Sequence, residues 1–257
     1  GTLHAVMKAA AERGLRVVVL DRPNPIDGVH VAGPMLAPSE RSAVNHHALP
    51  VRHGMTLGEL ALLMDADEHL GLHLEVVRMP HYDRSQYFDE TGLVWWPPSP
   101  NLRTVAQAVL YPGVALVEGT NVSVGRGTDS PFEIVGAPWI NGPHLAALLA
   151  GIPGVSIEAT RFTPTANPYA GKLCQGVHLR VENRAVFEPV RTGIAIAVAL
   201  RRLFRGDWDT RRLHRIIGDP AVTAAILTTR PLVEIEALFE DDLNAFRKKR
   251  LKYLIYP

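Results

Sequence analysis

Three short apolar segments of the sequence are each followed by polar side chains that can bind a ligand or transfer a proton. The segments end at Leu20, Arg78 and Val117. Carboxylates act as acids, bases or nucleophiles, and arginine grips a carboxylate through two parallel hydrogen bonds. The candidate residues that follow these segments are Asp21, Arg22, Asn24, Asp89, Trp95, Asn101, Glu118, Asn121, Arg126 and Thr128, and Arg52 and His53 form a further polar pair before Gly54.

Glu118 is the carboxylate placed most directly for chemistry, because it follows an apolar segment and precedes Gly119. It is a candidate proton donor. The alternative is that it forms an ion pair with Arg126. Asp21 has a similar ambiguity, since it could bind a ligand or accept backbone N–H groups in the turn that follows it.

Alternating helices and apolar strands are predicted to position these residues. The capping box that Thr56 and Glu59 can form marks the start of one helix. Such alternation is typical of an α/β fold with a parallel sheet, in which ligands bind outside the carboxyl ends of the strands. We therefore predict a polar site on one rim of a Rossmann-like sheet. Its strands are Arg16–Leu20, Leu74–Arg78 and Val114–Val117, and its helices are Ala5–Arg13, Thr56–Met64 and Leu102–Leu110.

The pattern changes after Trp139 and no longer alternates regularly. Strands are predicted over 155–162 and 177–181, with helices over 143–150, 190–204, 221–227 and 232–253. We therefore predict a Rossmann-like α/β domain over residues 1–145 and a smaller mixed α+β domain over residues 146–257. The sequence starts without Met and with a helix that leads directly into a strand, so we expect further sequence upstream and a sheet that is incomplete at its N-terminus.

Composition disfavours several classes of protein. Lys and Arg number 27 against 26 Asp and Glu, a balance that does not favour nucleic-acid binding. No apolar run reaches the roughly 18 residues that a membrane-spanning helix needs. Cys174 is the one cysteine, so no internal disulfide can form, and we expect it to be a buried small side chain. The basic run Arg247–Arg250 is predicted to be a solvated helix face.

The sequence predicts neither a metal nor a cofactor. The histidines, among them His46 and His47, lack the spacing of the strong zinc motifs. The loop Gly125–Thr128 contains two glycines, but it does not match the phosphate-binding motifs of nucleotide-binding proteins. Its arginine suits a carboxylate ligand instead. Trp95 and Trp96 could form a wall for a sugar ring, or they could belong to a packed loop.

Short blocks along the whole sequence carry a resemblance to one known family, the NamZ-type exo-β-N-acetylmuramidases. The blocks are Asp21-Arg-Pro-Asn-Pro-Ile26, Val51-Arg-His-Gly-Met-Thr56 with Gly58-Glu-Leu60, Phe88-Asp-Glu-Thr-Gly92, Pro97-Pro-Ser-Pro-Asn101, Tyr111-Pro-Gly113, Glu118-Gly-Thr-Asn121, Gly125-Arg-Gly-Thr128, Gly136-Ala-Pro-Trp139, Phe162-Thr-Pro164, Lys172-Leu-Cys-Gln-Gly-Val177, Pro189-Val-Arg-Thr-Gly193 and Tyr253-Leu-Ile-Tyr256.

The resemblance implies a glycoside hydrolase that releases β-1,4-linked N-acetylmuramic acid (MurNAc) from the non-reducing end of peptidoglycan fragments, without nucleotide or known metal. It implies a partner that is a MurNAc-GlcNAc glycan and a location outside the cytoplasm, and it sets no oligomeric state. Members of the family carry upstream a Pro-Glu-His-Gly block that these residues lack. The alternative is therefore a fragment that binds muramyl glycans without turnover.

The resemblance also implies roles for the candidate residues. Glu118 and Asp89 are the expected catalytic carboxylates, and Arg52 and Arg126 are expected to hold the lactyl carboxylate of MurNAc. The remaining residues are expected to bind or enclose the sugar. They are Asp21, Arg22, Asn24, His53, Trp95, Asn101, Asn121 and Thr128, with Trp96 as an alternative to Trp95.

Overall fold

The computed structural model describes residues 1–42 and 45–257 and divides into two compact units. Unit 1 comprises Gly1–Val94 and Asp241–Pro257, and unit 2 comprises Trp95–Glu240. The elements, in chain order, are α1 (Thr2–Ala11), β1 (Arg16–Leu20), β2 (Ala32–Met35), β3 (Pro50–Arg52), α2 (Leu57–Glu68), β4 (His73–Val77), α3 (Val105–Val114), β5 (Ile134–Ala137), α4 (Gly142–Leu148), β6 (Val155–Phe162), β7 (Cys174–Val181), α5 (Pro189–Leu203), α6 (Leu213–Ile217), α7 (Pro220–Leu227), α8 (Leu232–Ala237) and α9 (Glu240–Arg250).

The units divide the chain elsewhere than the predicted domains. The predicted boundary at 145/146 falls inside unit 2, within α4 and between the paired strands β5 and β7. Unit 1 is discontinuous, because α9 and the residues after it return to it. The composition of the sequence does not change strongly near residue 95, so it does not indicate a boundary there. A scan along the chain also cannot detect that residues 241–257 belong to unit 1.

In unit 1, the predicted parallel α/β arrangement is confirmed. Strands β1 and β4 pair in parallel, with Arg16 opposite His73 and Leu20 opposite Val77. Val17 and Val19 face the core, because successive side chains of a strand point to opposite faces. They pack with residues of α1 and α2, which are Met7, Ala10, Ala61 and Met64. Strands β2 and β3 form a separate antiparallel pair.

Helix α2 begins as the sequence predicts. The Thr56 hydroxyl accepts the backbone N–H of Glu59, and the Glu59 carboxylate accepts the backbone N–H of Thr56. This capping box satisfies two backbone donors that the first turn of a helix leaves unpaired. His69 ends the helix in a left-handed conformation with φ of 51°. The helix leads directly into the turn before β4.

The third predicted strand, Val114–Val117, was a wrong prediction. Val114 is the last residue of α3, and Ala115–Val117 forms a 3₁₀ turn that continues it. A short apolar run cannot be distinguished from a buried helix by periodicity alone. Pro112 and Gly113, which suggested a turn, lie inside α3. Gly113 is required there because a Cβ atom would collide with the backbone of Pro189 at the start of α5.

The sheet of unit 2 is antiparallel, in the order β5-β7-β6. Strands β6 and β7 pair from Val155 opposite Val181 to Phe162 opposite Cys174. The predicted strands and the helices near 143–150, 190–204 and 221–227 are confirmed. The predicted helix over 232–253 is divided into α8 and α9. Among the described residues, none of the helices has the length and apolar character that crossing a bilayer requires.

Candidate functional site

The predicted site residues are distributed over both units. Unit 1 holds Asp21, Arg22, Asn24, Arg52, His53 and Asp89, whereas unit 2 holds Trp95, Asn101, Glu118, Asn121, Arg126 and Thr128. The expectation of one rim shared by three strand ends therefore holds only for the ends of β1 and β4. Glu118 follows a helical turn instead.

Asp21 lies at the carboxyl end of β1, and both of its carboxylate oxygens accept hydrogen bonds. Its Oδ1 accepts the backbone N–H of Gly58 at 2.8 Å, and its Oδ2 accepts the hydroxyls of Thr56 at 2.7 Å and Tyr256 at 2.8 Å. These contacts attach the start of α2 and the last residues of the chain to the end of β1. Asp21 also accepts the backbone N–H of Arg22 at 3.0 Å, and of these contacts it is the one that lies in the turn predicted for it. Arg22 itself is exposed.

Asn24 organises the loop that follows. It is buried, its amide donates to the carbonyl of Met55 at 3.0 Å, and its Oδ1 accepts the backbone N–H of Ile26 at 3.2 Å. The Tyr82 hydroxyl lies 3.3 Å from the Asn24 backbone nitrogen and accepts its N–H. Burial raises the pKa of Tyr82 to about 12. In the structure, all of these Asn24 groups are bonded within the protein.

Arg52 is buried beneath this loop and is paired with Asp27. Its Nη2 donates to Asp27 Oδ2 at 2.6 Å and also to the carbonyl of Ile26, while its Nε has no partner among the described residues. Asp27 is almost inaccessible and also accepts the backbone N–H groups of Val29 and His30, each at 2.8 Å. A buried carboxylate that accepts this many hydrogen bonds holds its arginine in place.

His53 is held as a neutral imidazole. Its Nδ1 accepts the backbone N–H of Met55 at 3.1 Å, so the proton of the neutral ring is on Nε2. Burial, and then the positive charges of Arg250 and Arg52, lower the pKa of His53 to about 4. At neutral pH, His53 can therefore donate a hydrogen bond from Nε2 but cannot act as a cationic acid.

Sequence reasoning missed a second buried ion pair of unit 1, between Glu59 and Arg84. Glu59 is inaccessible, and its Oε1 accepts from Arg84 Nη2 at 2.5 Å and from the backbone N–H of Ile255 at 2.9 Å. Arg84 also donates to the carbonyls of Gly28 and Tyr256. The capping box identified Glu59, but the partner that arrives from far along the sequence left no local signal.

Arg250 corrects the prediction of a solvated basic face on α9. Lys248 and Lys249 are exposed as predicted, whereas Arg250 is buried. Its guanidinium donates to the carbonyls of Gly54 at 2.6 Å, Val29 at 2.7 Å and Gly28 at 3.1 Å. The buried residues Leu243 and Phe246 precede it at helical spacing, and this periodicity was the available signal that position 250 faces inward.

Asp89 lies on the surface of unit 1. It is the middle residue of a 3₁₀ turn, Phe88–Glu90, and is exposed. The neighbouring carboxylate of Glu90 accepts the backbone N–H of Tyr87 at 2.7 Å and so closes the turn. The accessibility of Asp89 is compatible with contact to a substrate.

In unit 2, Glu118 and Arg126 form the predicted ion pair. Arg126 Nε donates to Glu118 Oε1, and the two side chains are 35% and 29% exposed. The guanidinium also lies over the ring of buried Phe132, 5.2 Å from its centroid. Burial, followed by the negative charge of Glu118, raises the pKa of Tyr111, whose ring meets Phe132 edge to face. The pair is thus anchored on one side and open to solvent on the other.

The loop Gly125–Thr128 has a backbone that glycine makes possible. Gly125 and Gly127 have φ values of 79° and 77°, a region that other residues avoid. Thr128 donates its hydroxyl to the carbonyl of Gly125 at 2.6 Å and accepts the backbone N–H of Ser130 at 3.1 Å. Thr128 therefore closes the loop that presents Arg126.

Asn121 lies beside a polar cavity of about 330 Å³ in unit 2. Its side chain donates to the carbonyl of Asp207 at 2.8 Å and accepts the backbone N–H of Asp209 at 2.7 Å. Arg211 donates hydrogen bonds to both carboxylate oxygens of Asp209, and these bonds lower the pKa of Asp209 to about 2. The lining residues are Gly119, Thr120, Asn121, Asp209, Arg211 and Arg212. Sequence reasoning did not find the 209–212 segment.

Trp95 and Asn101 belong to the loop that opens unit 2. Trp95 is half-buried and donates its indole N–H to the carbonyl of Leu102 at 3.2 Å, whereas Trp96 is 85% exposed. The structure thus favours the packed-loop alternative for Trp95 and leaves the Trp96 ring available to contact a sugar. Asn101 is half-buried in the same loop. Among the described residues, no cluster of three or more His, Cys, Asp or Glu side chains is placed to hold a metal ion.

Comparison with known proteins gives consistent results for both parts of the chain. Residues 1–106 match the description "Exo-beta-N-acetylmuramidase NamZ, N-terminal", and residues 109–256 match "Exo-beta-N-acetylmuramidase NamZ, C-terminal". A curated relative, the peptidoglycan beta-N-acetylmuramidase NamZ of Bacillus subtilis, is 40% identical over 99% of this chain. The chain spans 63% of the length of that relative.

Two crystal structures of DUF1343 family proteins from Bacteroides fragilis have the same fold. One is 26% identical with a TM-score of 0.91 and covers 100% of this chain, and the other is 29% identical with a TM-score of 0.76 and covers 99%. In each case the match spans 70% of the solved chain. On these matches, and chiefly on the family description that covers residues 109–256, the chain belongs to the NamZ exo-β-N-acetylmuramidase family.

Proposed function

We propose that this chain acts in the hydrolysis of β-1,4-linked N-acetylmuramic acid from the non-reducing end of peptidoglycan fragments. The observation that carries the proposal is the 40% identity, over 99% of the chain, to a peptidoglycan beta-N-acetylmuramidase. Because peptidoglycan lies outside the membrane, we propose that the protein acts outside the cytoplasm. The product released is free MurNAc.

The reaction needs carboxyl groups in defined states. Water adds its oxygen to the anomeric carbon, the bond from that carbon to the glycosidic oxygen breaks, and the leaving sugar takes up a proton at that oxygen. Glu118 is ion-paired with Arg126 in the structure. As a carboxylate paired in this way, it suits a nucleophile, a base or a stabiliser of positive charge. To donate a proton, it must first leave Arg126.

Arg126 is better placed than Arg52 to hold the lactyl carboxylate of MurNAc. Arg126 uses Nε for Glu118, and the structure records no hydrogen bond to its two terminal nitrogens within the described residues. A second carboxylate can therefore bind on that side of the guanidinium. Arg52 is buried and already paired with Asp27, so a ligand would have to displace Asp27 to reach it.

The experiment is to incubate the chain with a MurNAc-β-1,4-GlcNAc disaccharide and to measure release of free MurNAc. The same assay is run on a chimera in which this chain replaces the matched region of the Bacillus subtilis relative. Release by either protein supports the proposal. No release by a folded, monomeric chimera contradicts it.

A second candidate function is a muramyl-glycan-binding module without turnover. The observation that favours it is that the chain spans 63% of the length of the curated relative. This candidate predicts saturable binding of the disaccharide to the chain, release of MurNAc by the chimera, and none by the chain itself. Release by the chain at a rate within about tenfold of the chimera would exclude it.

A further inference from the structure

Phe132 lies beneath the open ion pair of unit 2, and its backbone is unusual. Its φ is 64°, in the left-handed region that bulky side chains rarely adopt. Only 1% of the residue is exposed. A residue keeps such a conformation only where its surroundings enforce it, and conformations of this kind are concentrated at binding and active sites. The backbone of Phe132 therefore indicates a functional role for its ring.

Hydrogen bonds hold the backbone on both sides of this ring. The backbone N–H of Phe132 donates to the carbonyl of Val124 at 2.7 Å, which closes the loop that contains Arg126. The carbonyl of the next residue, Glu133, accepts the backbone N–H of Leu179 in β7 at 2.7 Å. The left-handed residue thus turns the chain from the loop into β5 and places its ring under Arg126.

The ring contacts two polar side chains of the candidate site. Arg126 Cζ lies over it, 5.2 Å from the ring centroid, within the range of a cation–π interaction. The ring of Tyr111 meets it edge to face, with the two centroids 4.8 Å apart. Burial raises the pKa of Tyr111, the charge of Glu118 raises it further and that of Arg126 lowers it, so both charges lie close to the phenol. Arg126, Tyr111 and Glu118 therefore form one cluster around Phe132.

The backbone that carries Arg126 is also restrained. The carbonyl of Gly127 accepts both the backbone N–H of Thr165 at 2.9 Å and its hydroxyl at 2.8 Å. A Cβ atom on Gly127 would lie 2.3 Å from the backbone nitrogen of Ala166. These contacts fix the loop but do not restrain the long arginine side chain. Within the described residues, the recorded restraints on the guanidinium are the ion pair with Glu118 at Nε and the Phe132 ring.

We propose that Phe132 is a positioning residue, which holds the Arg126 guanidinium so that its two terminal nitrogens meet the lactyl carboxylate of MurNAc. Ordering a flexible side chain in advance reduces the entropy that is lost when a ligand binds. Phe132 is too buried to touch the sugar and acts through Arg126. The inference rests on the proposed function, because it takes MurNAc as the ligand of Arg126. It makes recognition of the lactyl group, which GlcNAc lacks, depend on Phe132.

The test compares the dissociation constants of free MurNAc and free GlcNAc, measured by ligand-observed NMR titration of the whole chain. We expect Phe132→Leu to weaken MurNAc binding at least about fivefold and to change GlcNAc binding less than about twofold, because an apolar side chain is retained but the aromatic face is lost. Phe187→Leu is the matched control, since Phe187 is also a buried phenylalanine of unit 2. Both of its constants are expected to be those of the parent protein.

A second variant separates the charge distribution of the ring from its shape. A trifluorinated phenylalanine at position 132 keeps an aromatic ring of similar shape but removes most of the negative potential of its face. We expect the preference for MurNAc, taken as the ratio of the GlcNAc Kd to the MurNAc Kd, to fall at least about threefold while the circular dichroism spectrum is unchanged. This variant tests the proposal even where Phe132→Leu fails to fold.

Two results would overturn the positioning role. One is a preference for MurNAc that stays at the parent value when the ring is changed but falls in Arg126→Gln. The other is a parent protein that binds MurNAc no more tightly than GlcNAc, because Arg126 would then hold no lactyl carboxylate. The proposed function is tested separately by MurNAc release from the disaccharide. Release by the chimera together with an unchanged preference would refute the role of Phe132 and leave the proposed function intact.

Discussion

The two units use the same residue types, arginine and carboxylate, in opposite ways. In unit 1, Asp27 with Arg52 and Glu59 with Arg84 are buried pairs, and every one of these four side chains is at most 10% exposed. In unit 2, Glu118 and Arg126 are about one third exposed. A buried pair whose remaining atoms bond to backbone organises the fold, whereas a pair with one open side can exchange its partner for a ligand. We propose that burial, more than residue type, separates structural from chemical roles in this protein.

The largest expected effect concerns the buried pair of unit 1. Glu59→Ala removes the partner of Arg84 and the acceptor for the N–H groups of Thr56 and Ile255. Breaking a buried pair by removing one member is expected to cost about 3 to 5 kcal/mol of the free energy of unfolding. Urea denaturation followed by circular dichroism measures it. Glu12→Ala, at an exposed position of the same unit, is the control and is expected to change stability by less than about 0.5 kcal/mol.

This prediction tests the proposed difference between the buried pairs of unit 1 and the open pair of unit 2. If Glu59→Ala costs less than about 1 kcal/mol but strongly lowers MurNAc release, then the buried pair serves chemistry and the division between the units is wrong. If the free energy of unfolding falls and the remaining folded protein keeps its activity per molecule, the structural role of the buried pair is supported.

The next effect concerns the open pair of unit 2. Glu118→Gln retains an acceptor for Arg126 but can no longer carry a charge or a transferable proton. We expect MurNAc release to fall at least about a hundredfold, or about 2.7 kcal/mol in activation free energy. The free energy of unfolding should change by less than about 1 kcal/mol, because the pair is partly exposed.

Glu133→Gln provides the control for Glu118. It is a half-buried carboxylate of the same unit that faces His178 at 3.5 Å. We expect its activity to stay within about threefold of the parent protein. A Glu118→Gln variant that keeps more than a third of the activity while folded would remove Glu118 from the catalytic candidates.

A third effect depends on pH. The pKa of His53 in the folded protein, about 4, is below the ordinary histidine value of 6.5, so between these values the unfolded chain binds more protons than the native one. The stabilisation is fully present above about pH 6.5 and is lost as the pH falls toward 4. We expect a contribution of about 2 kcal/mol, less than the shift alone suggests, because the ring is only partly buried.

The measurement compares the free energy of unfolding at several pH values for the parent protein and for His53→Gln. Other groups titrate in the same range and contribute equally to both proteins, so the difference between the two curves isolates His53. Curves that remain parallel between pH 7 and pH 4.5 would show that the imidazole is not held neutral. His53 would then be a solvent-accessible group of unit 1.

The smallest effect concerns the last residues of the chain. Tyr256→Phe removes a hydroxyl that donates to Asp21 and accepts the backbone N–H of Met79 at 3.1 Å. We expect a loss of about 1.5 kcal/mol in the free energy of unfolding, the lower end of the range for a hydrogen bond with a charged acceptor. Tyr253→Phe is the control, because no hydrogen bond to its hydroxyl is recorded among the described residues. Equal losses for the two variants would show that the Asp21 contact contributes nothing specific.

The features that the sequence predicted correctly are those with local causes. The capping box at Thr56, the β-branched segment of β1 and the long apolar helix α5 each have their signal within one element. The ion pair of Glu118 with Arg126 was likewise an explicit alternative, since both residues lie in neighbouring turns. Local pattern and local spacing were sufficient for these features.

The features that were missed depend on contacts between distant parts of the chain. Val114–Val117 was predicted to be a strand, but its apolar composition fits a buried helix equally well. Only its packing against α5 decides between the two. Arg250 bonds to carbonyls some two hundred residues earlier. The helical spacing of Leu243 and Phe246 indicates that position 250 faces inward, but no local pattern indicates which carbonyls the guanidinium binds.

The discontinuity of unit 1 has a consequence for how the protein is made. Residues 241–257, which supply Arg250 and Tyr256 to unit 1, are translated after the whole of unit 2. Domains generally fold as units during synthesis, from the N-terminal side onward. Unit 2 can therefore fold on the ribosome before unit 1, whose Asp21, Glu59 and Arg84 must wait for these final residues to emerge. Ribosome-bound chains ending at Glu240 and followed by a linker long enough to clear the exit tunnel would be expected to contain a protease-resistant unit 2 and a protease-sensitive unit 1.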